Sequence, residues 1–146
     1  KEMNTMSTKK TKTIARRYME ELWNEGNLAV ADELFTAGCL VHDPGTPGRQ
    51  GGIAGEKQAV TLYRTAFPDL HFTMDDVIAE GDLVVVRWHS SGAHLGDLMG
   101  LPPTGRKGIP TGISILHLAN GRIAEHWLNW DTLGLMQQLG VIPELA

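Results

Sequence analysis

One acidic residue stands out because of its neighbours. Asp131 follows two tryptophans, Trp127 and Trp130, and precedes the leucine-rich segment TLGLMQQLG. Indole rings remove water from a nearby carboxylate, which makes its ionised form a stronger base, suited to taking a proton from a carbon next to a carbonyl group. A position between a strand and a helix equally suits an aspartate that caps the helix. The residues alone leave both roles open.

Such a base usually works with a second group that holds or relays the proton, and the chain has six histidines. His42 lies at a strand end, from which it can point into a pocket, although a structural role also suits it. His71 is expected to be exposed at the start of a strand, and the residues around His89, His94 and His126 favour structural roles. The sequence has no HExxH motif and no Cys-His spacing, so we predict no metal. Serine-nucleophile and phosphate-binding motifs are also missing from it.

Strand parity predicts which side chains share a face with Asp131. Two sets alternate on the last strand: Ile123, Glu125, Trp127, Asn129 and Asp131 on one face, and Ala124, His126, Leu128 and Trp130 on the other. A hairpin turn at Asn120-Gly121 would pair Ala119 with Arg122 and His117 with Ala124. Parity therefore does not bring His117 to Asp131 unless a bulge or a twist intervenes.

The elements that position these residues follow from periodicity. Helices are predicted over residues 13–23, 28–35, 56–67 and 132–139, and the segment CLVHDP is predicted to be a strand that runs into the loop DPGTPGRQGG. Two hairpins follow, with turns at Glu80-Gly81-Asp82 and at Asn120-Gly121. This order predicts an α+β fold with a curled antiparallel sheet packed on helices, an arrangement that can enclose a pocket.

Composition limits the class of protein. The chain has 146 residues and a net charge of −4, and its basic residues are scattered, so we expect one domain and no nucleic-acid partner. Its apolar runs are too short to span a bilayer, and we expect no membrane partner and a cytoplasmic location. Residues 1–12 are predicted to be a flexible tail and residues 13–146 a single domain. Cys39 is expected to be a buried, inert thiol.

Three segments together resemble the SnoaL-like polyketide cyclases, within the superfamily that includes nuclear transport factor 2. They are LWNEGNLAVADELFTAGCLVHDP, AFPDLHFTMDDVIAEGDLVVVRWHSSGAHLGDLMGLPPTG and NGRIAEHWLNWDTLGLMQQLG. The resemblance implies a cone-shaped α+β barrel, in which a curved antiparallel or mixed sheet wraps around N-terminal helices and a deep apolar pocket. It also implies a homodimer or homotetramer assembled through the sheet.

The activity that the resemblance implies is cofactor-free intramolecular aldol closure of a small apolar or aromatic carbonyl compound. Catalysis in the family uses an aspartate near the end of the last long strand, helped by a histidine on the preceding strand, and these match Asp131 and His117. Some family cyclases carry a further histidine where this chain has Asn129. The side chains expected to contact substrate are Asn129, Trp127, His42, Trp23 and Trp88.

Two other functions are compatible with the sequence. One is a non-catalytic ligand-binding or dimerisation module, in which Asp131 is only a helix cap. The other is a related isomerase or hydrolase that uses the same pocket.

Overall fold

The computed structural model describes residues 7–143 and has the predicted α+β architecture. The helices within these residues are α1 (Thr8–Arg17), α2 (Val30–Leu34), α3 (Gly52–Ala66) and α4 (Thr132–Gln138), and α1 continues into a π-helical segment, Tyr18–Asn24. The strands are β1 (Phe35–His42), β2 (His71–Glu80), β3 (Leu83–Ala93), β4 (Lys107–Gly108), β5 (Thr111–Ala119) and β6 (Arg122–Trp130).

The sheet is mixed, curved and open. Its order is β1-β6-β5-β3-β2, with the short β4 paired to β3. β1 runs parallel to β6, and the other pairs are antiparallel. The inner face packs against α1, the π-helical segment and α3, and the buried apolar side chains between these layers form the core. The sheet and the helices thereby enclose the pocket.

Both predicted hairpins are confirmed. Gly81 (φ 57°) turns the chain between β2 and β3, and Asn120 (φ 53°) with Gly121 (φ 77°) turns it between β5 and β6. Two successive residues with positive φ are typical of the two-residue turns whose twist matches that of a β-ribbon, and an Asn-Gly pair adopts them at low cost.

A bulge after the second turn changes the predicted register. Ala119 pairs with Arg122 as expected, but His117 pairs with Glu125 rather than with Ala124. The extra residue, Ala124, shifts the alternation, so that Ile123 and His126 are both buried. Beyond the bulge, His126, Leu128 and Trp130 face inward, and Glu125, Trp127 and Asn129 face outward.

The observed bounds of the helices and strands differ from the predicted bounds most in the first third of the chain. α1 begins at Thr8 rather than at residue 13, because the Ser7 hydroxyl caps it by accepting a bond from the Lys10 amide, and Thr11 is buried. Residues 8–12, expected in a flexible tail, are therefore helical, and residues 1–6 lie outside the described part. β1 begins at Phe35, which we expected to end a helix, because this residue already has an extended backbone.

None of the helices within residues 7–143 combines the length and the apolar character needed to cross a bilayer.

Candidate active site

The pocket lies between the π-helical segment, α3 and the inner face of the sheet. Most of its wall is aromatic or aliphatic; the rings come from Tyr18, Trp23, Tyr63, Phe67, Phe72, Trp88 and Trp130. The space between these side chains is about 650 Å³ with the mouth included, and closely spaced rings border it from both the helices and the sheet. The pocket is therefore a narrow slot between rings.

A buried carboxylate lies at one end of this slot. Asp43 directly follows β1, and its side chain is 1% exposed. Its Oδ2 accepts a bond from Arg49 Nη1 at 2.9 Å, and its Oδ1 accepts bonds from the Gly45 amide at 3.1 Å and from Trp130 Nε1 at 3.2 Å. A Cβ atom on Gly45 would lie 2.5 Å from that indole nitrogen, so the approach of Trp130 to Asp43 requires glycine there.

Arg49 holds its charge despite being buried. Desolvation alone would lower its pKa, but Glu56, Tyr18 and Asp43 together raise it above the ordinary value. The polar end of the pocket thus contains a fixed cation beside the Asp43 carboxylate.

A phenol lies in the same part of the pocket. The Tyr63 hydroxyl is 2.6 Å from Thr46 Oγ1, and its ring packs edge-on against Trp130 with centroids 5.9 Å apart. Burial, helped by the charge of Asp43, raises the pKa of Tyr63 to about 12. Tyr63 therefore keeps its proton near neutral pH and can donate it to an oxygen atom.

Two further polar groups lie on the sheet side of the pocket. Trp88 Nε1 donates to Ser114 Oγ at 3.0 Å, and both side chains are buried. This bond uses one lone pair of the serine oxygen and leaves its own proton free to be donated. Gly112, next to Ser114 on β5, makes room for the indole, since a Cβ atom there would collide with the Trp88 ring.

Of the five residues that we predicted to contact substrate, two line the pocket and three lie on the other side of the sheet. Trp23 and Trp88 line the pocket. His42, Trp127 and Asn129 lie on the outer face, where the rings of His42 and Trp127 stack at 5.3 Å and His42 Nε2 lies 2.6 Å from Glu125 Oε2. A ligand in the inner pocket cannot reach these three side chains, because the sheet lies between.

Asp131 and His117 are not brought together. Asp131 is exposed at the end of β6, where its Oδ1 accepts a bond from the Gly134 amide at 2.8 Å and caps α4. His117 lies on the outer face opposite Glu125, six residues along β6 from Asp131, which corresponds to roughly 20 Å of strand. Asp131 and Asn129 border a second, more open depression on the outer side of the sheet, but His117 is not among its lining residues. The catalytic pair therefore stays a prediction that this geometry does not support.

The sequence patterns did not identify Asp43, Arg49 and Tyr63 as candidate site residues, for two reasons. The predicted contacts Trp127 and Asn129 lie on the same face of the last strand as Asp131, although the opposite face, with His126, Leu128 and Trp130, is the more apolar of the two. An apolar face is the one that normally packs inward. A second signal lay in the loop DPGTPGRQGG, where Asp43 and Arg49 are the two charged residues in a stretch dominated by glycine and proline.

Among residues 7–143, no group of three or more histidine, cysteine, aspartate or glutamate side chains is placed to hold a metal ion. Cys39 is buried as expected, and burial raises the pKa of its thiol, which keeps it protonated.

Comparison with known proteins agrees with the fold. A profile of the SnoaL-like polyketide cyclases matches residues 13–139. The chain is 32% identical over 131 residues to the aklanonic acid methyl ester cyclase DnrD of Streptomyces peucetius, across 85% of this chain and 87% of that protein. It is 30% identical over 131 residues to the aklanonic acid methyl ester cyclase DauD of Streptomyces sp. (strain C5), across 85% of this chain and 78% of that one.

Among solved structures, TsrD from Streptomyces laurentii superposes with a TM-score of 0.84 at 29% identity, covering 94% of this chain and 99% of that chain. The similarity therefore extends over the whole fold and is not limited to one motif.

Proposed function

Because the chain belongs to the SnoaL-like polyketide cyclase family, we propose that it is a cyclase-type enzyme that uses acid–base catalysis without a cofactor. The proposed reaction is an intramolecular aldol closure. The proposed substrate is a small, flat, mainly apolar carbonyl compound that enters the slot between the aromatic rings.

One observation carries this proposal: the aromatic pocket ends at a buried carboxylate. Asp43 lies in the wall, and three donors hold it in place. An ionised carboxylate offers about four lone-pair directions, so about one stays free to accept a proton. A substrate carbon above Asp43 would meet a fixed base shielded from bulk water.

The proton balance of the reaction is simple. Asp43 takes a proton from a carbon next to one carbonyl, and the resulting enolate carbon forms a bond to a second carbonyl carbon of the same molecule. The new alkoxide oxygen receives a proton from Tyr63, and Asp43 returns its proton to the phenolate through the product or water. No group leaves, so the product is an isomer of the substrate.

Two physical effects would supply the rate. Holding both reacting ends in one slot can contribute about 7–11 kcal/mol of the barrier, and a positioned acid and base typically add about 10²–10⁴-fold. The fixed positive charge of Arg49 next to the reacting centre would also stabilise negative charge that develops on oxygen.

The test compares two isosteric substitutions, with aklanonic acid methyl ester as the first substrate because two relatives bear its name. Asp43→Asn should lower kcat/KM at least about 100-fold. Asp131→Asn should leave it nearly unchanged, because asparagine also caps a helix. The reverse pattern would support the sequence-based assignment of Asp131 and His117 and would refute the role of Asp43.

A non-catalytic binding module is the second candidate, and one observation favours it. Both oxygens of Asp43 already accept hydrogen bonds, as they would in a purely structural carboxylate. Under this alternative the ligand would bind to the wild type and to Asp43→Asn with equal affinity, and neither protein would convert it.

We also propose that the outer face of the sheet assembles the protein into a homodimer. This face carries exposed apolar side chains, and Ile113 at its centre is 50% exposed. The other members of this surface with large exposed areas are Leu40, Ile78, Leu83 and Trp127. Trp127, Ile115, Val85 and Ile78 are successive cross-strand partners and form an apolar row across this face. A contiguous apolar surface is rarely left open to water.

A further inference from the structure

A line of charged side chains leads from the pocket into the core. Arg49 Nη1 donates to Asp43 Oδ2 at 2.9 Å, and Arg49 Nη2 donates to Glu56 Oε2 at 2.8 Å. The same glutamate oxygen lies 2.7 Å from His126 Nε2 on β6. The exposed fractions of the four side chains are 1% for Asp43, 4% for Arg49, 1% for Glu56 and 0% for His126. We call these four residues the buried cluster.

The buried cluster has a net charge of −1 when its histidine is neutral. Arg49 supplies one positive charge, and the two carboxylates supply two negative charges. An uncompensated charge in a water-free interior is strongly unfavourable, so the cluster needs one additional proton.

Glu56 does not hold that proton. Burial pushes its pKa upward, but Arg49 and the bond to His126 outweigh burial and lower it below the ordinary value. Arg49 keeps its own proton. Two positions remain for the additional proton, Asp43 and His126.

We infer that the buried cluster holds one exchangeable proton, and that His126 carries it in the resting protein, which leaves Asp43 ionised and able to accept a proton from substrate. His126 is then a positioning residue that acts through Glu56 and Arg49. The part of this inference that concerns Asp43 as a base rests on the proposed function. The location of the proton on His126 does not.

The surroundings of His126 agree with this location. Glu56 faces it from α3, Tyr18 faces it from the π-helical segment, and Cys39 lies on the adjacent β1. Burial raises the pKa of both the tyrosine and the cysteine, so these two stay neutral. The negative charge of Glu56 therefore meets the imidazole directly, at hydrogen-bond distance. His126 Nδ1 has no partner within residues 7–143, so protonating it leaves one buried N–H without an acceptor, a cost that the attraction to Glu56 has to exceed.

The first experiment needs no substrate. Nitrogen-15 spectra of histidine-labelled protein, with His126 assigned by its loss in His126→Gln, report whether both ring nitrogens carry protons at pH 7. We expect a doubly protonated ring in the wild type. We expect a neutral ring in Glu56→Gln, because the charges of Arg49 and Asp43 already cancel in that variant. A neutral His126 in the wild type would overturn the inference, even if Glu56→Gln did not fold.

The second experiment measures kcat/KM as a function of pH and follows the acidic limb, the pH range in which kcat/KM falls as the pH is lowered. In His126→Gln the proton moves to Asp43, so the limb should shift upward by about one pH unit or more, the size expected for coupled groups. The double variant Glu56→Gln/His126→Gln restores charge balance, and its limb should return to the wild-type position. His94→Gln is the matched control, since His94 is equally buried and bonds to Thr104.

A purely structural role for His126 would give a different pattern. The double variant would then be at least as impaired as His126→Gln, and the limb would not move in either, which would refute the inference. A wild type without turnover would refute the proposed function but would leave the spectroscopic result standing, so the two failures are distinguishable.

Discussion

Replacing Arg49 by methionine tests whether the buried cluster is held together by its arginine. Methionine fills the volume of the aliphatic stem but removes the bonds of 2.9 Å to Asp43 and 2.8 Å to Glu56. Both carboxylates then stay buried, each only 1% exposed, without the arginine that joins them. Breaking a buried ion pair by removing one partner typically costs about 3–5 kcal/mol. For a chain of this size, that corresponds to a loss of roughly 6–20 °C in melting temperature.

The pH dependence of this loss has a definite sign. In the wild type the pKa of Glu56 is lowered, so its stabilising contribution is complete above the ordinary glutamate pKa and is lost as the pH falls through the lowered value. In Arg49→Met, the cluster has two carboxylates and at most one positive neighbour, so burial favours the protonated form of one carboxylate. The variant therefore loses stability as the pH rises. The difference in unfolding free energy should be largest near pH 7 and should shrink as the pH falls towards about 4.3.

Urea denaturation at several pH values measures this difference directly. Lys57→Met is the control, because Lys57 pairs with Asp32 on the surface at 3.0 Å, with exposed fractions of 33% and 58%. Such exposed pairs contribute about 0–1 kcal/mol. A change in Arg49→Met as small as that in the control, or a loss that is the same at pH 5 and pH 7, would refute the reasoning.

Three more predictions concern the ends and faces of the sheet. Asp131→Ala should cost about 1 kcal/mol by removing the cap of α4, and a thermal melt equal to wild type would contradict that role. Gly112→Ala should displace the Trp88 ring, cost about 1–3 kcal/mol and block ligand binding, as calorimetry can check; unchanged binding would count against this pocket. Ile113→Lys should convert the proposed dimer into a monomer, and an unchanged mass in analytical ultracentrifugation would exclude this face as the interface.

Local signals in the sequence predicted the fold well. The Asn120-Gly121 turn was located correctly because its backbone requirement is met by those two residues and by few others. The helices were found from their apolar stripes, but α1 was predicted to begin five residues late, since its first turn is capped by Ser7 and contains few apolar residues. Whether a segment forms a helix or a strand is encoded by its local sequence, whereas the residue at which a helix begins depends on single capping contacts.

The site was harder to predict because it depends on two non-local facts. The first is the bulge at Ala124, which breaks the simple alternation from which we assigned faces on β6. The second is the return of the loop after β1, which folds Arg49 back onto Asp43 and Glu56. Neither a ladder register nor a loop path can be read from side-chain spacing along one strand.

The bulge residue Ala124 affects how the sequence of β6 can be aligned with the sequences of relatives. Downstream of it, alternate side chains of β6 serve two different environments, the ligand slot and the outer surface. Because Ala124 is accommodated as an unpaired residue, the pairs on either side of it, Leu118 with Ile123 and His117 with Glu125, do not depend on it. A relative that lacked this residue would therefore keep the same pairing and would still present Trp127 and Asn129 to the outer surface. At this position of the strand, one residue can be gained or lost while the pocket residues and the surface residues keep their places.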